Sequence, residues 1–416
     1  MRTAPLRTAH RRTAAPPAPG TRHIAPLDGL RGVAVLGVLL FHAGHLGGGF
    51  LGVDLFFVLS GFLITGLLLK EARKGDGRVD LVAFWGRRAR RLLPALAVTV
   101  AGTLLLVWAF GPPSLLRFAL DDAPWVAVNL TNWHFVADEA GYWNGADTRV
   151  FGHLWSIAVE EQFYLLWPLV VRLLARGRDA DRRVAAVAGA GAVVSLMLMV
   201  TLTVSAGSGD TTRVYEGTDT RAFSLLLGSL AATAPAARLF AGARESVLRL
   251  GVPVLACGIG AYWAAADGQR TPSLFQGGLF LHALAAALLI GALAHAPRSP
   301  LGRVLAAGVL RRLGGLSYSL YLWHWPVFLL LDEERLGLSG PPRTAIILAV
   351  TVLAAWVSKV LVEDPVRFRA RWATGRGGVL ALVAAFAALA ALWTLIPEPR
   401  TGAGSVDVTR LMSADG

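Results

Sequence analysis

Apolar residues in this chain gather into long runs separated by short polar stretches, and the runs set the architecture. Eleven of them cover roughly residues 28–46, 49–70, 91–111, 154–175, 183–205, 221–237, 248–266, 276–295, 315–332, 343–361 and 378–396. A helix of about 17–25 apolar residues crosses about 30 Å of hydrocarbon. The pattern predicts an all-α polytopic membrane protein: a core of about ten helices followed by an eleventh transmembrane helix. The stretch 117–137 is less apolar, with Asp121, Asp122, Asp138 and Glu139 in or beside it. It is predicted to be interfacial or re-entrant rather than spanning.

Charge fixes an expected orientation. The net charge of +13 is large enough to raise nucleic acid as a partner, but its distribution explains it better. With the N-terminus inside, the inner side carries 30 of the 40 Lys and Arg residues and the outer side 9, Arg31 lying within the first helix. Cytoplasmic loops are enriched in basic residues. The expectation is a multi-pass protein of the cell (inner, cytoplasmic) membrane, N-terminus cytoplasmic and C-terminus extracytoplasmic, with membrane lipids and not nucleic acid as partners. A full crossing by 117–137 would flip every later loop and erase the asymmetry. Charged residues are only 16% of the chain, against roughly 25% in soluble domains, which excludes a string of soluble domains. The first 26 residues are rich in Arg, Ala and Pro without an apolar core. They are predicted to be a disordered basic tail rather than a cleavable signal. A single cysteine, Cys257, excludes a disulfide framework and a Cys-based metal site.

Ionisable residues inside apolar runs carry the chemistry, because a charge in the bilayer faces a bundle interior or a wet cavity. Arg31 and His42 lie in the first run, LDGLRGVAVLGVLLFHAG. Eleven residues separate them, three helical turns with a remainder of roughly 20° and a rise of about 16 Å. They share one face, a cation near one end and an imidazole near the other. Asp54 enters the membrane after the glycine-rich turn GGGFLG. It is either the carboxylate that orients His42 or a helix cap. Ser60 follows on the same run, where it could also serve close helix packing. Arg87, Arg88, Arg90 and Arg91 cluster at the inner end of the third run. Guanidinium forks suit phosphate, although topology and anionic lipid headgroups ask for basic residues there too.

Glu160 and Glu161 stand side by side in HLWSIAVEEQFYLLWPLV. Neighbours on a helix point about 100° apart, so one is expected to face a cavity and the other a neighbouring helix. Asp219 and Arg221, in YEGTDTRAF, read as an interfacial ion pair. His324, in SYSLYLWHWPVF, falls near the bilayer midplane beside Pro326, as a cavity lining or a packed imidazole. His42, Asp54 and Glu160 or Glu161 are placed in the outer half. No compact metal constellation stands out.

Taken together, LDGLRG, FHAG, GVDLFFVLSGFLI, RRARRLLPAL, HLWSIAVEEQFYLLWPL, TDTR and SYSLYLWHWPVF resemble the acyltransferase-3 family of integral membrane O-acyltransferases, over about residues 24 to 368. VEDPVRFR, from Val362 to Arg369, is similar to the family's end-of-domain motif. The resemblance implies transfer of an acyl group, usually acetyl, from cytoplasmic acyl-CoA to a hydroxyl of an extracytoplasmic or membrane-associated glycan or glycosylated small molecule. Acyl-CoA would be a co-substrate, with no permanently bound cofactor and no metal. Arg31 and His42 match the family's first-helix pair, and Arg88 and Arg91 its R-x-x-R signature. His42 would be the general base, with Asp54, Glu160 or Glu161 orienting and stabilising it. Arg31, Arg87, Arg88 and Arg91 would hold the coenzyme. Ser60, Trp155, Ser156, Tyr215, Arg221, Tyr321 and His324 would contact substrate. The expected division is 1–26 cytoplasmic tail, 27–369 acyltransferase domain, 370–396 loop and extra helix, and 397–416 short external tail. Many larger relatives continue into an external SGNH-type domain. A polytopic secondary transporter is the alternative class, distinguished by lacking a need for the inner Arg cluster; a catalytically dead lipid-binding scaffold is another.

Overall fold

The structure is a computed structural model that describes residues 24–399 except 76, 142–148, 178, 207–210 and 269. Nearly all of the expected N-terminal tail and most of the expected external tail lie outside the described residues. Among the described residues seventeen α-helices follow one another: α1 (Ala25–His42), α2 (Gly52–Lys74), α3 (Leu81–Phe110), α4 (Pro113–Ala127), α5 (Thr131–Ala137), α6 (Trp155–Leu174), α7 (Ala180–Ala206), α8 (Thr212–Glu216), α9 (Thr218–Ala231), α10 (Ala234–Gly242), α11 (Glu245–Ala265), α12 (Gly278–His295), α13 (Pro300–Leu305), α14 (Gly308–Leu330), α15 (Glu333–Leu336), α16 (Gly340–Ser358) and α17 (Gly375–Leu395). No strand occurs among the described residues.

Every apolar run of the sequence carries a helix, and the all-α polytopic reading holds. Among the described residues eight helices are long and apolar enough to cross a membrane, or nine if the pair α8–α9 and α10, bent by 63°, is one span. Helices α6 and α14, of 20 and 23 residues, are long enough too, but polar residues interrupt them. Helices α4 and α5 have 15 and 7 residues. At 1.5 Å per residue they reach about 22 and 10 Å, short of the hydrocarbon thickness.

Local chemistry sets the ends. Pro26 opens α1, and the chain turns at Gly44 with φ +74° just past its end. Asp80 caps α3 by accepting from the Ala83 amide at 2.9 Å. Beyond Ser358 the α16 segment continues as π-helical turns over Lys359–Glu363 and Pro365–Arg369. There Ser319 of α14 donates to the buried Glu363 at 3.1 Å.

Close backbone approach joins α1 to α14 and α2 to α9. A Cβ on Gly314 of α14 would stand 1.8 Å from the Asp28 carbonyl of α1, and one on Gly32 2.4 Å from the Leu310 carbonyl. A Cβ on Gly61 of α2 would stand 1.8 Å from the Leu225 carbonyl of α9. Glycine alone permits such approach, the usual means of joining helices where lipid offers no hydrophobic drive.

The α2–α9 seam encloses a buried ion pair. Arg221 Nη2 lies 2.7 Å from Asp54 Oδ1, both side chains fully shielded, and Ser224 donates to the same oxygen at 2.7 Å. Removing one member of a buried pair strands the other charge, at about 3–5 kcal/mol. Asp54→Ala is therefore expected to lower the thermal unfolding temperature in detergent sharply. The apolar double replacement Asp54→Leu with Arg221→Met is expected to restore most of that stability; equal unfolding temperatures for the single variant and the unsubstituted protein would refute the pairing.

Candidate active site

A narrow cavity of about 60 Å³ runs between α1, α2, α3, α6 and α14. At one end it is lined by Arg88 and Arg91 of α3, along its length by Arg31, Ser60, Glu160 and Tyr164, and at the other end by Ser156 and Tyr321. The one-face spacing of Arg31 and His42 turns both toward α14. Arg31 donates to Ser317 at 3.4 Å and lies over Phe56, 5.9 Å from its ring centre. Its Nε is buried without a hydrogen-bond partner among the described residues. A cation aimed into a cavity with a free donor suits an anionic or carbonyl-bearing ligand.

The two glutamates separate as adjacent helical residues must. Glu160 lines the cavity and accepts from Ser60 and Tyr164, which are 3.1 Å apart. Glu161 does not line it. Arg88 spreads over the rings of Phe84 and Tyr164, at 5.8 and 5.3 Å. Arg87, expected to share coenzyme binding, instead reaches Glu71 at 3.4 Å with its side chain 48% exposed. It points away because it sits a helical step off the face that carries Arg88 and Arg91.

Ser156 and Tyr321, both in the cavity lining, form a hydrogen-bonded partition. Ser156 bonds Tyr321 at 2.6 Å, and Tyr321 donates to the His153 carbonyl at 2.9 Å. Behind it lie three imidazoles. The rings of Tyr321 and His324 are 5.3 Å apart, those of His153 and His324 5.1 Å, and those of His324 and His42 4.9 Å. His42 is half-buried and stands against Trp325 at 4.6 Å. His42 and His324 thus share one depth, not the outer half and the midplane as the apolar runs predict. The glycine-tight crossing of α1 and α14 brings them level.

Several expected roles do not match their placement. Among the described residues no carboxylate orients His42: Asp54 is held by Arg221 and Ser224, Glu160 by Ser60 and Tyr164, and the Nδ1 of His42 faces the Val38 carbonyl and His324. Arg221 does not pair with Asp219, which Arg213 takes at 2.6 Å. Arg221 is instead buried among the rings of Phe57, Trp155, Tyr215 and Phe223, at 5.0 to 6.0 Å. Trp155 and Tyr215, expected to contact substrate, are fully buried supports of that cation. His153 is the site residue that sequence reasoning misses. It heads a motif whose conspicuous members are its glutamates, and a lone histidine before an apolar run carries no signal of its partners.

A polar cluster around Arg149 braces this end. Arg149 bonds Asp122 at 2.5 Å and Asp138 at 2.8 Å, with His134 3.2 Å from Asp122. Burial pushes the Asp122 carboxyl up, while His134 and Arg149 act in the opposite direction. Asp121, His134 and Asp138 approach one another closely enough for a cation, but the Arg149 guanidinium already supplies the positive charge there. The Arg149 carbonyl accepts from Trp325 at 3.0 Å, so the cluster anchors the residue that packs on His42.

Comparison with known proteins fits this geometry. The profile described as an acyltransferase domain matches residues 24–360. The chain is 37% identical over 355 residues to YrhL of Bacillus subtilis (strain 168), a protein whose naming as a peptidoglycan O-acetyltransferase is provisional, covering 83% of this chain and 55% of that one. It is 34% identical over 354 residues to the O-acetyltransferase OatA of Staphylococcus aureus (strain NCTC 8325 / PS 47), covering 83% and 57%. It is 34% identical over 357 residues to the peptidoglycan O-acetyltransferase OatA of Listeria monocytogenes, covering 83% and 56%. The chain spans a little over half the length of these relatives. No solved structure matches it. With the motifs, the helical cavity and the match over most of its length in agreement, the chain belongs to the acyltransferase-3 family.

Proposed function

We propose that the protein is a membrane O-acetyltransferase that moves an acetyl group from cytoplasmic acetyl-CoA to a hydroxyl of an envelope glycan, with His42 as general base. The observation that carries this reading is the cavity itself, lined by Arg88 and Arg91 on one side and by Ser156 and Tyr321, next to the histidines, on the other. The phosphates of the coenzyme then rest on Arg88 and Arg91, where guanidinium groups bind phosphate in fork geometry. Arg31 steadies the pantetheine arm midway. The basic inner loops support a cytoplasmic face for the arginine end. The names of the relatives support peptidoglycan as the glycan class.

The chemistry balances with the residues present. The acceptor reaches His42 from its half-exposed side. Its hydroxyl oxygen attacks the thioester carbonyl as the imidazole takes the hydroxyl proton. The carbon–sulfur bond breaks, and the departing thiolate takes that proton back from the imidazolium. His42 does not line the cavity, so the thioester has to pass the Ser156–Tyr321 partition, and rotation of Tyr321 away from the His153 carbonyl opens it.

Two outcomes test this reading. His42→Ala is expected to reduce acetyl transfer by about 10²- to 10⁴-fold with coenzyme binding retained; turnover near that of the unsubstituted protein would refute the base. Arg88→Ala with Arg91→Ala is expected to weaken acetyl-CoA binding by about 10-fold or more for each charge-assisted hydrogen bond to phosphate that the substitutions remove, read by calorimetry. Unchanged affinity would mean that the cluster serves topology alone.

A further inference from the structure

The hydrogen bonds of His324 settle where its proton lies. The ring is fully buried on α14, and its Nδ1 stands 2.6 Å from the Tyr321 carbonyl. A carbonyl oxygen only accepts, so Nδ1 carries the hydrogen and Nε2 of the neutral ring is a bare lone pair. That Nε2 is 3.2 Å from His42 Nδ1. A charged His324 would set two N–H groups against each other, and the described residues give it no carboxylate partner.

The same argument then applies to His42. Its Nδ1 has two neighbours, the Val38 carbonyl at 3.0 Å and His324 Nε2, and both are acceptors. Its hydrogen therefore sits on Nδ1, shared between them, and its lone pair is on Nε2. His153 steadies the arrangement by donating from Nε2 to the Leu322 carbonyl at 3.1 Å, two residues before His324 on the same helix.

We propose that His324 is a positioning residue that locks His42 in the Nδ1–H tautomer, so that Nε2 is the atom that takes the acceptor's proton. This rests on the reading of His42 as the base. The hydroxyl proton moves to Nε2 as the ester C–O bond forms and the C–S bond breaks, and the thiolate collects it from Nε2. The hydrogen on Nδ1 stays in place throughout. While His42 is charged, its bonds to Val38 and His324 become charge-assisted and strengthen. No carboxylate is required, in contrast to the usual pairing of a catalytic imidazole with an acid.

Nitrogen-15 spectra of histidine-labelled full-length protein in lipid nanodiscs test the tautomer directly, with the His42 signals assigned by their absence in His42→Gln. A protonated Nδ1 and bare Nε2 are expected; a protonated Nε2 with bare Nδ1 would overturn the proposal. This measurement does not depend on any His324 variant folding or on His42 being the base. Steady-state rates test the consequence. His324→Leu, which removes the acceptor, is expected to lower kcat about 100-fold with the KM for acetyl-CoA within about twofold. His324→Gln, whose carboxamide oxygen can stand where Nε2 was, is expected to recover about tenfold of that decrease. A leucine variant within about threefold of the unsubstituted kcat, or a folded glutamine variant no better than leucine, would sink the positioning role. Full turnover by His42→Ala would instead sink the base assignment and leave the tautomer result standing.

Discussion

The contact on which the site depends is the backbone approach of α1 and α14. Gly32 and Gly314 remove the side chains that would hold the two helices apart. In a bilayer, apolar side chains gain nothing by leaving lipid for each other, so close packing of small residues has to supply the association. Once the axes are that near, Arg31 meets Ser317 and His42 meets His324. Arg31 and His42 are spaced by the helix, and their partners Ser317 and His324 are spaced by the other helix. The seam therefore sets two contacts at once, one at the cavity wall and one at the histidine pair.

Charge inside the bundle is handled in two different ways. Asp54 and Arg221 cancel each other under a cover of aromatic rings, which makes them structural. Glu160 and Arg31 are instead satisfied by hydroxyl groups, from Ser60, Tyr164 and Ser317, and both line the cavity. A hydroxyl compensates a charge only partly, because it brings a dipole and not a counter-charge. The groups with incomplete compensation are those that face the space a substrate would fill. The distinction separates scaffold from site on energetic grounds, without reference to any relative.

Much of this is legible in the sequence, and the illegible part has a common cause. Apolar run lengths locate the helices, since crossing lipid requires about 20 residues, and the lower apolarity of 117–137 marks α4 and α5 as short. Helical periodicity places Arg31 and His42 on one face and splits Glu160 from Glu161. What the sequence does not carry is pairing across helices. Depth matches Asp54 to His42 and nearness along the chain matches Arg221 to Asp219, yet the Gly61 crossing brings Asp54 to Arg221. Depth estimated from residue number ignores helix tilt and offset, so it cannot choose between partners a turn apart. His42 and His324 meet at one level for the same reason. Arg87 departs on a smaller scale: residues clustered in sequence need not cluster in space, because the helix turns about 100° per residue.

The cluster around Arg149 gives the α4–α5 segment a reason to exist beside the bundle. These helices are too short to cross the membrane, yet they bury Asp122 and hold Arg149 between it and Asp138. That guanidinium also lies over Phe118 and Phe135, each 5.1 Å from it, so its position is set from several sides. The rigidity is passed on through the backbone: the Arg149 carbonyl fixes the indole of Trp325, and the indole lies against His42. The imidazole is thus bounded by Trp325 on one side and His324 on another, while Phe41 touches it edge-on at 5.0 Å. An imidazole so confined keeps its orientation without a carboxylate, because packing removes the rotations that an ionic partner would otherwise have to oppose. Burial of a carboxylate beside this imidazole would carry a desolvation penalty; two neutral rings and a backbone carbonyl avoid it.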